Sequence, residues 1–132
     1  MVWRAGEGRT NGAILFGGVT VEPDAAAEVD RTWFLGTSVR GIVPNRPDDN
    51  IGLQFTRLHY SDAARDAARA ASLADGTPLR RRDTESVFEA HYGLQLRDNV
   101  RLAPNLQYVW NPGGDEGAKS GAAWGLRLDV SF

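Results

Sequence analysis

A strict alternation of apolar with small or polar side chains runs through residues 122–132, AAWGLRLDVSF. The apolar set comprises Ala122, Trp124, Leu126, Leu128, Val130 and Phe132. Successive side chains of a β-strand point to opposite faces, so this stretch predicts a strand with one apolar face and one face that carries Arg127 and Asp129. Strands of soluble proteins average about five or six residues, whereas about 9 to 11 are needed to cross a bilayer at a tilt. The length therefore favours a membrane strand.

Five upstream segments show the same period of two and predict further antiparallel strands. They cover residues 13–21, 31–42, 51–61, 85–96 and 100–110, and residues 2–5 predict a short seventh strand. Only Arg97-Asp98-Asn99 separates the last two of the five segments, which indicates a tight hairpin. The sequence therefore predicts an all-β, antiparallel, up-and-down sheet of six or seven strands.

Two of these segments depart from a regular pattern. Pro104 has no backbone N–H for the ladder of hydrogen bonds, so we expect a local bulge there. In the segment 51–61 the apolar side chains change phase after Phe55, which predicts a bulge near Thr56 or Arg57. Such a bulge would keep Tyr60 on the apolar face of the sheet.

The connectors between the predicted strands alternate in length. Residues 6–12, 43–49 and 97–99 form short connectors, and residues 22–30, 62–83 and 111–121 form longer ones. Outer-membrane barrels have short periplasmic turns and longer extracellular loops, so the asymmetry predicts an extracellular position for the longer connectors.

The longest connector contains an alanine-rich stretch from Asp62 to Ala74. Its pairs Asp62/Arg65 and Asp66/Arg69 have the i,i+3 spacing of neighbours on a helix, so we expect a short helix there. A solvated loop helix and a binding lid are the two interpretations of this segment.

Composition excludes several classes of function for this chain of 132 residues. Fifteen Lys and Arg against 17 Asp and Glu leave a net charge of −2, so nucleic acid is not an expected partner. Cysteine is absent, which excludes disulfides and thiolate chemistry.

No apolar run reaches about 18 residues, so no transmembrane helix is predicted. Residues 1–4 do not begin a signal peptide, so we expect the start of an exported protein to lie upstream.

Four aromatic side chains fall near the outer ends of their predicted strands. They are Trp33, Tyr60, Trp110 and Trp124. Aromatic rings at the level of the lipid headgroups are typical of membrane barrels, so the four predict part of an aromatic girdle. Ordinary core aromatics are the alternative.

Three stretches of the sequence carry a resemblance to a known family. They are ESVFEAHYGLQLRDNVRLAPNLQYVWNPGG at residues 85–114, GLRLDVSF at residues 125–132 and RGIVPNRPDDNIGLQF at residues 40–55, the last with Arg46 and Asp49 in its turn. Together they resemble the C-terminal part of the carbohydrate-selective porins, which are OprB-like proteins.

The resemblance implies a transmembrane β-barrel in the bacterial outer membrane that lets sugars diffuse through a water-filled channel. It implies no catalysis and no cofactor, and it makes Phe132 a candidate signal for the outer-membrane assembly machinery. The expected partners are membrane lipid, lipopolysaccharide and small sugars. Arg80-Arg81-Arg82 is a candidate for contact with lipopolysaccharide phosphates, with a solvated loop as the alternative.

In this interpretation the polar face of the strands lines the pore. Hydroxyl groups of a sugar would meet carboxylate acceptors and amide or guanidinium donors, although a hydrated wall of no particular selectivity is the alternative. The candidate sugar-contacting residues are Arg40, Glu85, Glu89, His91, Arg101, Asn105, Gln107, Arg127 and Asp129.

An enzyme or a metal site is not expected. Glu85 and Glu89 could be a glycosidase pair, but four residues of strand separate them by about 13 Å, beyond the roughly 5–9.5 Å that glycosidases use. His59 and His91 have no ligand spacing, so we predict no metal site.

The length of the chain raises a difficulty for a pore. A water-filled barrel needs roughly 16 to 18 strands, and an open sheet exposes two edges that lipid does not tolerate. We therefore expect residues 1–132 to be a single unit of partial barrel, completed by missing strands or by further copies. A soluble antiparallel β-sheet binding module is the alternative.

Overall fold

A computed structural model describes residues 2–5, 12–79 and 81–132, with the side chains described from residue 12 onward. It contains seven strands in one sheet. They are β1 Val2–Ala5, β2 Gly12–Val21, β3 Val29–Arg40, β4 Asn50–Tyr60, β5 Thr84–Arg97, β6 Val100–Trp110 and β7 Gly121–Val130. Each strand pairs antiparallel with the next along the chain, so the predicted up-and-down sheet is confirmed. Most of the predicted turn at residues 6–12 lies outside the described residues.

The register divides the side chains of the sheet into two faces, here named the apolar face and the polar face. Large side chains on the apolar face are exposed. They include Leu15, Val19, Trp33, Leu35, Leu53, Phe88, Leu106, Tyr108, Trp110, Trp124, Leu126, Leu128 and Val130. Within the described part of the chain only Tyr60 and Ala103 are buried hydrophobic residues. A soluble β-sheet module would cover its apolar face with a core, and the described residues contain no such core.

Strand β4 runs without a bulge, so the predicted bulge near Thr56 or Arg57 is wrong. The ladder from β4 to β3 is continuous between Leu58 and Asn50, and the ladder to β5 is continuous as well. Hydrogen bonding on both sides holds a central strand in register, and a bulge would have disrupted both ladders. Arg57 and His59 consequently lie on the apolar face, and Leu58 and Tyr60 lie on the polar face.

Pro104 interrupts pairing but does not shift the register. The β5–β6 ladder pairs His91 with Asn105 and resumes at Leu94 with Leu102, at the same register. The irregularity in this hairpin lies instead between Gln95 and Arg97. This irregularity precedes the tight turn. The turn consists of Asp98 and Asn99, because β5 extends through Arg97 of the predicted connector.

Helix α1 spans Asp62–Ala74, as predicted. Ser61 caps its first turn, because the side-chain oxygen accepts a hydrogen bond from the N–H of Ala64 at 3.1 Å. The predicted pair of Arg65 and Asp62 forms, at 3.2 Å. In the described part of the chain, no helix has the length and apolar character needed to span a bilayer.

Candidate functional site

The polar face carries all nine of the predicted sugar-contacting residues. Glu89 of β5 lies between Gln54 of β4 and Gln107 of β6. Arg101 of β6 lies opposite Asp129 of β7. Because the strands are antiparallel and in register, residues far apart in sequence form rows across this face. The same register assigns Arg40, Glu85, His91, Asn105 and Arg127 to it.

Hydrogen bonds connect the central polar side chains. The Gln107 amide donates to the Glu89 carboxylate at 2.6 Å. Nδ2 of Asn50 lies 3.2 Å from both the Ser38 hydroxyl and Nε2 of His91. These contacts hold donors and acceptors in fixed positions on the face. Asn50 and Ser38 were not among the candidates, although the alternation within β3 and β4 would have assigned both to this face.

Two buried polar atoms of the face have no hydrogen-bond partner within the described structure, namely Oδ1 of Asn50 and Nε of Arg101. Both side chains lie over Gly93, where any side chain would overlap the Arg101 guanidinium and the Asn50 amide. Gly52 makes room for the His91 ring in the same way. Glycine therefore allows long polar side chains to lie flat along the sheet.

The ends of the polar face carry further polar contacts. Arg40 forms an ion pair with Asp48, close to the short connector between β3 and β4. Nε of Arg127 lies 3.1 Å from Asp129. Glu85 accepts a hydrogen bond from the backbone N–H of Gly113 at 2.5 Å, at the end of the long connectors. Carboxylates and guanidinium groups thus alternate along the wall instead of forming one large field of a single sign.

A buried carboxylate holds the short connector between β3 and β4, residues 41–49. The Asp49 side chain is 3% exposed and accepts hydrogen bonds from Nε of Arg46 at 2.7 Å, the Tyr92 hydroxyl at 2.5 Å and the Gln95 N–H at 2.8 Å. The bond from Arg46 lowers the pKa of Asp49 to about 2, with Tyr92 and Gln95 acting in the same direction against burial. The same bond raises the pKa of Arg46. Four residues thereby connect this turn to β5.

At the opposite end, the three long connectors pack into a cap around Tyr60. The ring is 8% exposed and lies under Gly114, and the Arg82 guanidinium lies 5.0 Å from its centroid. Arg82 also forms an ion pair with Glu28.

The prediction that Tyr60 belongs to an aromatic girdle is wrong, because the uninterrupted register of β4 turns its side chain to the polar face. Of the predicted arginine run, residue 80 lies outside the described residues.

Aromatic contacts connect three strands on the apolar face. The Trp33 and Phe55 rings lie 5.4 Å apart, Phe55 and Trp110 lie 6.4 Å apart, and Tyr108 and Trp110 lie 4.7 Å apart. Phe55 and Tyr108 were not predicted members of this group. Trp124, on the same face, lies opposite Leu106. A continuous aromatic surface, defined here by Trp33, Phe55, Tyr108 and Trp110, therefore crosses β3 to β6.

Comparison with known proteins agrees with this two-faced sheet. The family model of the carbohydrate-selective porins, the OprB family, matches residues 1–132. The chain belongs to this family. Porin B of Pseudomonas aeruginosa is 32% identical over 130 residues, a match that covers 93% of this chain and 29% of that protein. The solved structure of Pseudomonas putida OprB at high pH matches with a TM-score of 0.83 and 30% identity, over 93% of this chain and 31% of that one.

This porin chain therefore spans less than a third of the length of these relatives. Its seven strands form a sheet that is not closed, since β1 and β7 do not pair with each other in the described structure. Outer-membrane porin barrels turn an apolar face to lipid, where large apolar side chains need no protein core.

The described His, Asp and Glu side chains are dispersed. Among the described residues, no group of three or more His, Asp or Glu side chains is placed to hold a metal ion. His91 contacts Asn50 on the polar face, whereas His59 contacts Asp30 on the apolar face at 2.6 Å. Glu85 and Glu89 contact different groups, Gly113 and Gln107.

The substitution Gly114→Ala is expected to loosen the cap. Gly114 has a φ of 72°, and an added Cβ would overlap the buried Tyr60 ring. Overpacking of this kind costs about 1–3 kcal/mol, so trypsin should cleave the cap at Arg81 or Arg82 about fivefold faster or more.

Gly76→Ala is the matched control for this change. Gly76 has a φ of 62°, and no atom of the described residues lies within 4 Å of its added Cβ, so Gly76→Ala shares the backbone strain without the overlap. Equal cleavage rates in the two variants would contradict the packing of Tyr60 under Gly114.

Proposed function

We propose that this chain forms part of the wall of a water-filled channel through which carbohydrates diffuse passively across the bacterial outer membrane. The observation that carries the proposal is the division of the sheet into an exposed apolar face and a hydrogen-bonded polar face. In a barrel of this kind the apolar side faces lipid and the polar side faces the channel.

The chemistry of the polar face suits uncharged polyols. A sugar presents hydroxyl groups that both donate and accept, and Glu89, Gln107 and Asn105 supply acceptors and donors at neighbouring positions. Diffusion needs no covalent step, so we assign the chain no catalytic residue, metal or cofactor.

The orientation follows from the connectors. We place the cap of long connectors on the extracellular side and the short turns on the periplasmic side. Residues 1–132 then act as a single unit whose two open edges pair with the remaining strands of the barrel or with another copy. Lipid and lipopolysaccharide contact the apolar face, and Phe132 is the candidate signal for the outer-membrane assembly machinery.

Reversal of charge at the middle of the wall is expected to change ion selectivity. Glu89→Lys replaces an acceptor with a cation and should raise the anion-to-cation permeability ratio severalfold, while the flux of a neutral monosaccharide changes much less. The measurement is the reversal potential of the protein in planar bilayers, with swelling of sugar-loaded liposomes for the neutral solute.

Phe88→Leu is the control, because Phe88 precedes Glu89 on β5 but lies on the apolar face. It should leave the permeability ratio unchanged. If a barrel completed by the remaining strands, with residues 1–132 unchanged, passes no sugar into liposomes, the proposed function fails. If Phe88→Leu changes selectivity as much as Glu89→Lys, the assignment of the two faces is incorrect.

A further inference from the structure

The apolar face changes character abruptly near the long connectors. One row of paired residues across β3 to β6 is Leu35, Phe55, Phe88 and Tyr108. The next row is Trp33, Arg57, Ser86 and Trp110, and the row beyond it is Arg31, His59 and Thr84. Large, mostly apolar side chains thus give way to cations and small hydroxyl side chains within two rows. A change of this kind marks the level where hydrocarbon meets lipid headgroups.

Arg57 is the least compensated cation at this boundary. Its side chain is exposed, and its Nη2 donates a hydrogen bond to the Thr84 hydroxyl at 3.3 Å. It forms no ion pair with a carboxylate of the described residues. A guanidinium beside lipid, without a counter-ion from its own chain, favours an anion from the membrane.

Arg31 lies beside Arg57 on the neighbouring strand. Arg31 pairs with His59 and Arg57 pairs with Trp33, so the two arginines are diagonal neighbours, at a spacing of about 7–8 Å between backbones. Arg31 contacts Asp30 at 3.3 Å and the His59 ring at 3.3 Å, and the Asp30 carboxylate also binds His59 at 2.6 Å. The side chain of Arg31 is 57% exposed and so remains accessible to a second anion.

The aromatic surface begins level with Arg57 and extends from there toward the middle of the membrane. Trp33 and Trp110 are in the same row as Arg57, and Phe55, one row further in, contacts both of their rings. Flat aromatic rings give acyl chains and glucosamine rings an apolar contact, while the arginines beside and above them remain in the headgroup region. The site therefore combines positive charge with an apolar base.

We propose that Arg57 and Arg31 bind a phosphate of lipid A in the outer leaflet, with the lipid body against the aromatic surface. The planar guanidinium donors match phosphate oxygens, whereas a neutral glycolipid would leave Arg57 without a counter-ion. The inference rests on the proposed function for the orientation of the sheet, because lipid A is a lipid of the extracellular leaflet.

The test is a titration of the purified protein in dodecyl maltoside micelles with lipid A that carries both phosphates, read by native mass spectrometry. Arg57→Gln or Arg31→Gln should each weaken binding about fivefold, and the double variant about thirtyfold. Lipid A without its phosphates should bind the wild-type protein weakly. Its affinity should not exceed the affinity of intact lipid A for the double variant.

Arg97→Gln is the matched control, because Arg97 is exposed and lies at the short-turn end of β5. It should bind lipid A like wild type. Unchanged binding in the Arg57 and Arg31 variants, or equal binding of the two forms of lipid A, would overturn the proposal. Sugar flux into liposomes without lipid A tests the channel separately, since both arginines lie outside the polar face.

Discussion

Replacement of Leu126 with arginine is expected to destabilise the membrane-inserted sheet by about 2–4 kcal/mol. Leu126 lies in the middle of β7, opposite Pro104, and is 62% exposed on the apolar face. At that depth a guanidinium group has neither water nor a counter-ion, and its transfer from water into hydrocarbon is unfavourable. The measurement is equilibrium unfolding by urea in lipid vesicles, followed by tryptophan fluorescence.

Two controls isolate the position of the charge. Ala123→Arg introduces the same group on the same strand, but on the polar face opposite Gln107, and should cost far less. Leu126→Ala removes the side chain without adding a charge. If Leu126→Arg and Ala123→Arg destabilise equally, the apolar face does not contact lipid.

Asp49→Asn is expected to destabilise the fold by about 2–4 kcal/mol. The carboxylate is buried and accepts hydrogen bonds from Arg46, the Tyr92 hydroxyl and the Gln95 N–H. An amide has one acceptor oxygen, so its NH₂ group would face one of these donors and leave it unsatisfied. Unfolding of the variant by urea measures the loss. Asp48→Asn is the control, since Asp48 pairs with Arg40 in an exposed ion pair worth at most about 1 kcal/mol.

The stabilisation from Asp49 should also depend on pH. The pKa of this carboxyl falls from 3.8 to about 2 in the folded protein, so the folded state favours the charged form. Its contribution is therefore fully present above pH 3.8 and is lost as the pH falls toward 2. The difference in stability between wild type and Asp49→Asn should shrink across that interval. A constant difference between pH 5 and pH 2 would contradict the contacts assigned to Asp49.

The position of these residues on the polar face was predictable because each lies on a strand with local alternation. Glu89 and Gln107 are in different strands, but the period of two assigns each to the polar face independently of the other. Their hydrogen bond needed the register between β5 and β6, which local alternation does not contain. Asn50 and Arg101 likewise lie over the same position because Gly93 has no side chain, a contact between strands that local alternation does not contain.

Local sequence was enough to predict the all-β class, six or seven strands, helix α1 and the alternation of short and long connectors. Periodicity, capping and turn chemistry depend on near neighbours in the chain, so they can be read locally. The orientation of Arg57, His59 and Tyr60 depends instead on pairing between strands. Two flanking ladders hold β4 in register, and their combined hydrogen bonds outweigh the local preference of Tyr60 for the apolar face. The same register brings Arg57 to the membrane boundary beside Arg31.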